Sequence, residues 1–131
     1  MIALRKIMPP MRLLYCDRGA TAVEFALVAP AFIMLMVGVL TGSLLLYTAS
    51  SLHYAAEGAA RCYSVNSASC STSSATQTYA LSHYYGPASP QPSFTASTPA
   101  CGHQVVGTVT YILGGGTKTW SVPLSATACF P

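Results

Sequence analysis

The sequence predicts an α+β protein in which a long N-terminal transmembrane α-helix is followed by a small disulfide-bonded β-hairpin or β-sheet domain. Three observations predict it. Residues 25–46 are almost wholly apolar; Cys62, Cys70, Cys101 and Cys129 all lie beyond that run; and a β-branched stretch leads into Gly114, Gly115 and Gly116, as one arm of a hairpin would. The expected boundaries are 1–19 for a leader, 20–64 for the helix and 65–131 for the small domain.

The helix is set by length and charge. Of 131 residues only 7% are charged, against about a quarter in an ordinary soluble protein, so much of the chain is expected to face lipid or other subunits. The 22 residues from 25 to 46 would span roughly 33 Å as a helix, enough for a bilayer core of about 30 Å. Arg5, Lys6, Arg12 and Arg18 against Asp17 give residues 1–19 a net charge of +3. By the positive-inside rule this cluster stays cytoplasmic and the C-terminal part is exported. The basic balance therefore belongs to the leader and gives no support for nucleic-acid binding. A cleaved secretory signal is the rival reading, with Ala49 as a weak cleavage position, but its apolar region would run only about 7–15 residues.

Within the helix, Glu24 sits at the cytoplasmic lip. A carboxylate is tolerable there, whereas at the bilayer centre it would cost about 2.5–3.5 kcal/mol of insertion free energy. Ala22, Ala26, Pro30, Met34, Gly38 and Gly42 form a stripe of mostly small residues at helical spacing. Gly38 and Gly42 would let a neighbouring helix approach closely, although small residues are also simply common in membrane helices. Pro30 should kink the helix or loosen its first turns. Beyond the span, Leu52, Ala55, Ala56, Ala59 and Cys62 recur at three- and four-residue steps and predict an amphipathic extension to about Ser64, with Tyr47 and Tyr54 near the outer interface.

The exported part is expected to rely on disulfides, being too short for a hydrophobic core alone. Cys16 falls in the leader, leaving four cysteines outside in an oxidising compartment and three possible pairings. The favoured pairing is Cys62–Cys70 with Cys101–Cys129, worth about 2.6 and about 3.6 kcal/mol on the chain-entropy model. The Ser/Thr-rich 64–78 and the Pro-rich 86–99 read as irregular connections, with a short helical turn at 79–85 between them. Strands are expected at 104–113 and 117–124, with a third at 125–130. Trp120 is assigned to the core, while Tyr79, Tyr84 and Tyr85 are candidate partner contacts.

Chemistry is poorly represented. His53, His83 and His103 lack the paired spacing of a zinc site, so no metal and no other cofactor is expected. An even number of exported cysteines argues against a catalytic thiol, and Glu24 and Glu57, the two carboxylates beyond the leader, exclude paired-carboxylate catalysis. No enzyme is expected.

The run R-G-A-T-A-V-E-F-A-L-V-A-P-A-F from Arg18, closing with L-H-Y-A-A-E-G-A-A-R up to Arg61, resembles the TadE-like family, minor pilins or pseudopilins of the bacterial tight-adherence (Tad, or Flp) pilus system. The resemblance implies that a prepilin peptidase cuts between Gly19 and Ala20 on the cytoplasmic side. It also implies that Glu24, then fifth in the mature chain, pairs with the terminal amine of an adjacent subunit. Physically, such a pairing in low dielectric offsets the desolvation of both charges and sets axial register; the plainer role for Glu24 is to favour the helix N-terminus through the macrodipole. Thr41 departs from the pattern, since many relatives carry an acid there. The implied partners are the peptidase, other pilin or pseudopilin subunits, the inner-membrane assembly machinery and the lipid bilayer. The implied setting is the inner membrane with a periplasmic C-terminal domain, or the cell surface within a type IVb-like fibre for adherence. The alternative is a permanently anchored exported binding module with no fibre role.

Overall fold

The computed structural model describes residues 20–66, 68–88, 90–115 and 118–131. The leader expected at 1–19, including Arg18, Gly19 and Cys16, lies outside them. The elements run α1 (Ala20–Val65), α2 (Ser73–Ser82), β1 (Ser93–Ser97), β2 (His103–Gly115) and β3 (Lys118–Phe130). The three strands form one antiparallel sheet in the order β1-β2-β3. The α+β class expected from the sequence is therefore the class observed. The Cα packing divides the chain into two units, Met1–Val39 and Leu40–Pro131.

The first unit contributes residues 20–39 of α1. Of the side chains from 21 to 39, all but Ala29 are exposed, so this apolar surface is left for lipid or for other protein. The helix continues through Pro30, whose ring removes the hydrogen bond that Ala26 would otherwise accept.

The second unit is a helix-on-sheet sandwich. Leu52, Ala55, Ala56, Ala59 and Ala60 of α1 are buried together with Ala80 of α2, Phe94 of β1, Val105 and Val109 of β2 and Ala126 of β3. The alanines allow the helix to settle close to the sheet, and period-two alternation places Val105, Gly107 and Val109 on the facing side. Gly107 lies beneath the helix: a Cβ there would come within 2.6 Å of the Phe94 ring and 3.1 Å of Leu52 Cδ1. Hydroxyls on α1 turn back onto its own carbonyls, as Thr48 Oγ1 does to Leu44 O at 2.8 Å and Ser43 Oγ to Leu40 O at 2.9 Å, which satisfies them in apolar surroundings.

Two expected connections are ordered elements instead. The Ser and Thr content of 64–78 predicts an irregular segment, yet α2 begins at Ser73. Thr72 caps it by accepting the Ala75 N–H at 3.2 Å, and Thr76 and Ala80 are buried one turn apart. The helical turn expected at 79–85 is the end of this helix. Likewise β1 lies inside the Pro-rich stretch, pairing Ser93↔Thr108 through Ser97↔Gln104. Pro92 and Pro99 flank the paired residues, and β1 is an edge strand, where missing donors are tolerated. The strand expected at 125–130 is the continuation of β3, which pairs without a break from Gly115↔Lys118 to His103↔Phe130. Pro123 is accommodated for the same reason, since β3 is the other edge.

The disulfides join Cys62 to Cys70 and Cys101 to Cys129. Both lie at one end of the sandwich. Tyr63 packs edge-on against His103 at 4.4 Å, and Ser64 Oγ donates to Pro131 O at 2.7 Å, so the end of α1 meets the start of β2 and the end of β3. At Gly102 the backbone has φ +117°, and a side chain would collide with the Phe130 carbonyl, so glycine is required beside the Cys101 bridge.

Candidate assembly surface

The surface has three parts, each built by a different feature of α1 or β3. The first is the exposed helix from Thr21. Glu24 lies in the second turn of α1, is exposed, and is flanked by exposed Val23, Phe25 and Leu27. Gly38 and Gly42 are also exposed, and a Cβ at either would meet nothing within 4 Å, leaving room for a second helix backbone. Ala20 opens α1. Gly19 is outside the described residues, and with it the junction expected to be cut.

The second part explains the closing motif L-H-Y-A-A-E-G-A-A-R. Its four alanines point into the core, while Tyr54, Glu57, Gly58 and Arg61 turn outward and line a groove of about 530 Å³ against Thr127, Ala128, Cys129 and Phe130 of β3. This groove runs beside the edge strand and holds two opposite charges one helical turn apart. Sequence reading did not single it out, although Glu57 and Arg61 at four-residue spacing opposite the alanines were the available signal.

The third part is the far end of the β2–β3 hairpin. β1 pairs only with residues Gln104 to Thr108, whereas β2 continues to Gly115. The overhang carries Tyr111, Ile112, Leu113 and Trp120. Trp120, expected in the core, is 68% exposed, on the part of the hairpin that runs beyond β1. The other residues singled out from the sequence fall in different settings: Tyr85 is 64% exposed and His53 is also exposed. His83 stacks on Tyr79 with ring centroids 4.0 Å apart, the Tyr85 carbonyl accepts from Tyr47 Oη at 2.9 Å and its N–H donates to Ser51 Oγ at 2.8 Å, and Cys62, Cys70, Cys101 and Cys129 are all in disulfides. Among the described residues no three His, Cys, Asp or Glu side chains gather as a metal-ligand set.

Among the described residues one helix is long and apolar enough to cross a membrane, and a small disulfide-stapled head is folded onto its C-terminal half, an architecture that fits a single-helix membrane anchor. Residues 19–61 match the family model described as TadE-like protein, so that segment, about a third of the chain, is TadE-like, as its resemblance implied. A search of curated proteins and one of solved structures gave no match.

Proposed function

We propose that this chain is a minor pilin or pseudopilin of a Tad-type pilus, with a structural role and no catalytic one. The TadE-like match over 19–61 carries the reading. In this reading a prepilin peptidase cuts after Gly19 on the cytoplasmic face of the inner membrane, and Ala20 becomes the mature N-terminus. The exposed face of α1 then packs among sibling subunits, with Glu24 answering a neighbour's terminal amine and Gly38 and Gly42 admitting a neighbouring helix. The head faces the periplasm or, in the assembled fibre, the cell surface, where it supports adherence.

The test is N-terminal mass spectrometry of the full chain produced with and without its prepilin peptidase. A mature chain beginning at Ala20, seen only with the peptidase, is expected; an intact leader in assembled material overturns the reading and leaves a permanent anchor. Glu24→Ala should be processed normally but be lost from sheared fibre fractions. Normal incorporation of this variant would refute the register role of Glu24.

A further inference from the structure

We propose that the groove between α1 and the end of β3 takes an extended strand from another protein, added antiparallel to β3 along residues 125–130, with an acidic side chain on Arg61 and, two residues on, a basic side chain on Glu57. The proposal concerns the unit Leu40–Pro131 alone and stands whether or not the chain is processed or enters a fibre.

The sheet has two edges, and one stretch of them is open. β1 is five residues long and flanked by Pro92 and Pro99, and its Ala96 carbonyl is taken by Ser73 Oγ of α2 at 2.9 Å. On β3, Lys118 and Pro123 are residue types that discourage strand addition, and both lie in its first half. From 124 to 130 the strand reads L-S-A-T-A-C-F, without charge or proline. Pro123 fits the ladder because a residue at its place turns its N–H away from β2, and by alternation Ser125, Thr127 and Cys129 turn theirs the same way. Among the described residues no turn, loop or side chain accepts these N–H groups.

Helix and strand are in step beside this stretch. α1 runs the same way as β3, since Leu52 packs at Gly107, the partner of Ala126, and Ser64 bonds to Pro131. These contacts span about 18 Å of helix and about 17 Å of strand. Glu57 therefore stands level with Ala128 and Arg61 with Phe130, both on the side of the sheet that holds buried Ala126. Gly58 keeps the groove of about 530 Å³ open, because a Cβ there would meet nothing within 4 Å. The spacings agree: about 6 Å along the helix from Glu57 to Arg61, and about 6.8 Å between alternate residues of a strand. A Glu and an Arg four residues apart commonly close on each other, yet among the described residues neither has an ion-pair partner. A strand antiparallel to β3 would set an acid opposite Phe130, a base opposite Ala128 and an apolar residue opposite Ala126, beside Tyr54. No copy of this chain supplies that order, since the residues two after Asp17, Glu24 and Glu57 are Gly19, Ala26 and Ala59. The partner is a different protein.

The full chain in detergent is titrated with a labelled peptide, Thr-Val-Thr-Asp-Thr-Lys-Thr-Val-Thr, and with the same peptide after its Asp and Lys are exchanged. Fluorescence anisotropy reads the affinity and hydrogen exchange of β3 reads the site. The acid-first peptide is expected to bind roughly ten-fold tighter and to slow exchange at residues 125–129, because the exchange turns two attractions into two repulsions. Glu57→Arg combined with Arg61→Glu keeps the net charge and should reverse the preference with the circular dichroism unchanged. Thr127→Pro removes one outward N–H, leaves the pairing with β2, and should abolish binding of both peptides. Equal affinities, a preference for the base-first peptide, a preference that survives the charge swap, binding that survives Thr127→Pro, or no binding of either peptide up to about 1 mM overturns the proposal. So does self-association that Thr127→Pro abolishes and the acid-first peptide fails to displace, since the edge then belongs to a second copy.

Discussion

Replacing Gly107 by alanine tests the seat of α1 on the sheet. The added Cβ would lie 2.6 and 3.0 Å from two ring carbons of Phe94 and 3.1 Å from Leu52 Cδ1. Carbon atoms attract best at about 3.5–4.0 Å, so the nearest contact is short by roughly 1 Å. Neither neighbour can swing away: Leu52 is 1% and Phe94 5% exposed, so relief requires helix and strand to separate. Overpacking of this kind costs about 1–3 kcal/mol, which an alanine's better fit to a strand offsets only in small part. The assay is hydrogen–deuterium exchange of β2 peptides in detergent with the disulfides intact, where the cost appears as roughly 5- to 150-fold faster exchange. Phe94→Leu should cost stability alone, yet relieve part of the alanine's penalty when the two are combined, because residues in contact couple by about 0.5–3 kcal/mol. A neutral Gly107→Ala, or strictly additive effects, would refute close packing of Phe94 and Leu52 over Gly107.

The head supports two more predictions. Cys101 and Cys129 are more exposed than the buried Cys62 and Cys70, so limiting dithiothreitol should open Cys101–Cys129 first in a mass-spectrometric time course; simultaneous or reversed opening would contradict the burial pattern. The Tyr84 hydroxyl is buried without a hydrogen-bond partner among the described residues, and burial, aided by the neighbouring Tyr47 phenol, pushes its pKa above the ordinary 10.0. The folded state then holds this proton more tightly than the unfolded state. The associated stability is complete below the unfolded value and is lost as pH rises through the folded one. Tyr84→Phe should therefore flatten the fall in melting temperature above about pH 10 and change stability little at neutral pH. An unchanged alkaline slope would exclude Tyr84 as its source.

The parts legible in the sequence are those fixed by local pattern. The apolar run and the three- and four-residue recurrence of Leu52, Ala55, Ala56 and Ala59 specify both the span and the face that becomes the core, because helical periodicity is read within a few turns. The same holds for β2, whose β-branched residues need only a half-buried surface. Where the reading failed, composition stood in for position. The Ser/Thr stretch contains a cap at Thr72, and that cap outweighs the low helix preference of the residues behind it. The segment S-F-T-A-S between prolines alternates correctly for a strand, with Phe94 and Ala96 turned inward, but its partner lies across the sheet and leaves no local trace. Trp120 shows the deeper limit. Its burial depends on what packs over that face of the sheet, and the burial pattern of the strand, with Ala126 inside and Trp120 out, is a property of the tertiary fold.

That mismatch of strand lengths also gives the head two unlike ends. At one end, Cys62–Cys70, Cys101–Cys129 and the Ser64–Pro131 hydrogen bond tie α1 to β2 and β3. At the other, towards Thr41, the ties are the Tyr47–Tyr85 and Ser51–Tyr85 hydrogen bonds, and the hairpin runs on as two strands without β1. A two-stranded ribbon is marginal in water by itself, so its length there makes physical sense when another surface completes it. Covalent reinforcement thus lies at one end of the head and non-covalent closure at the other.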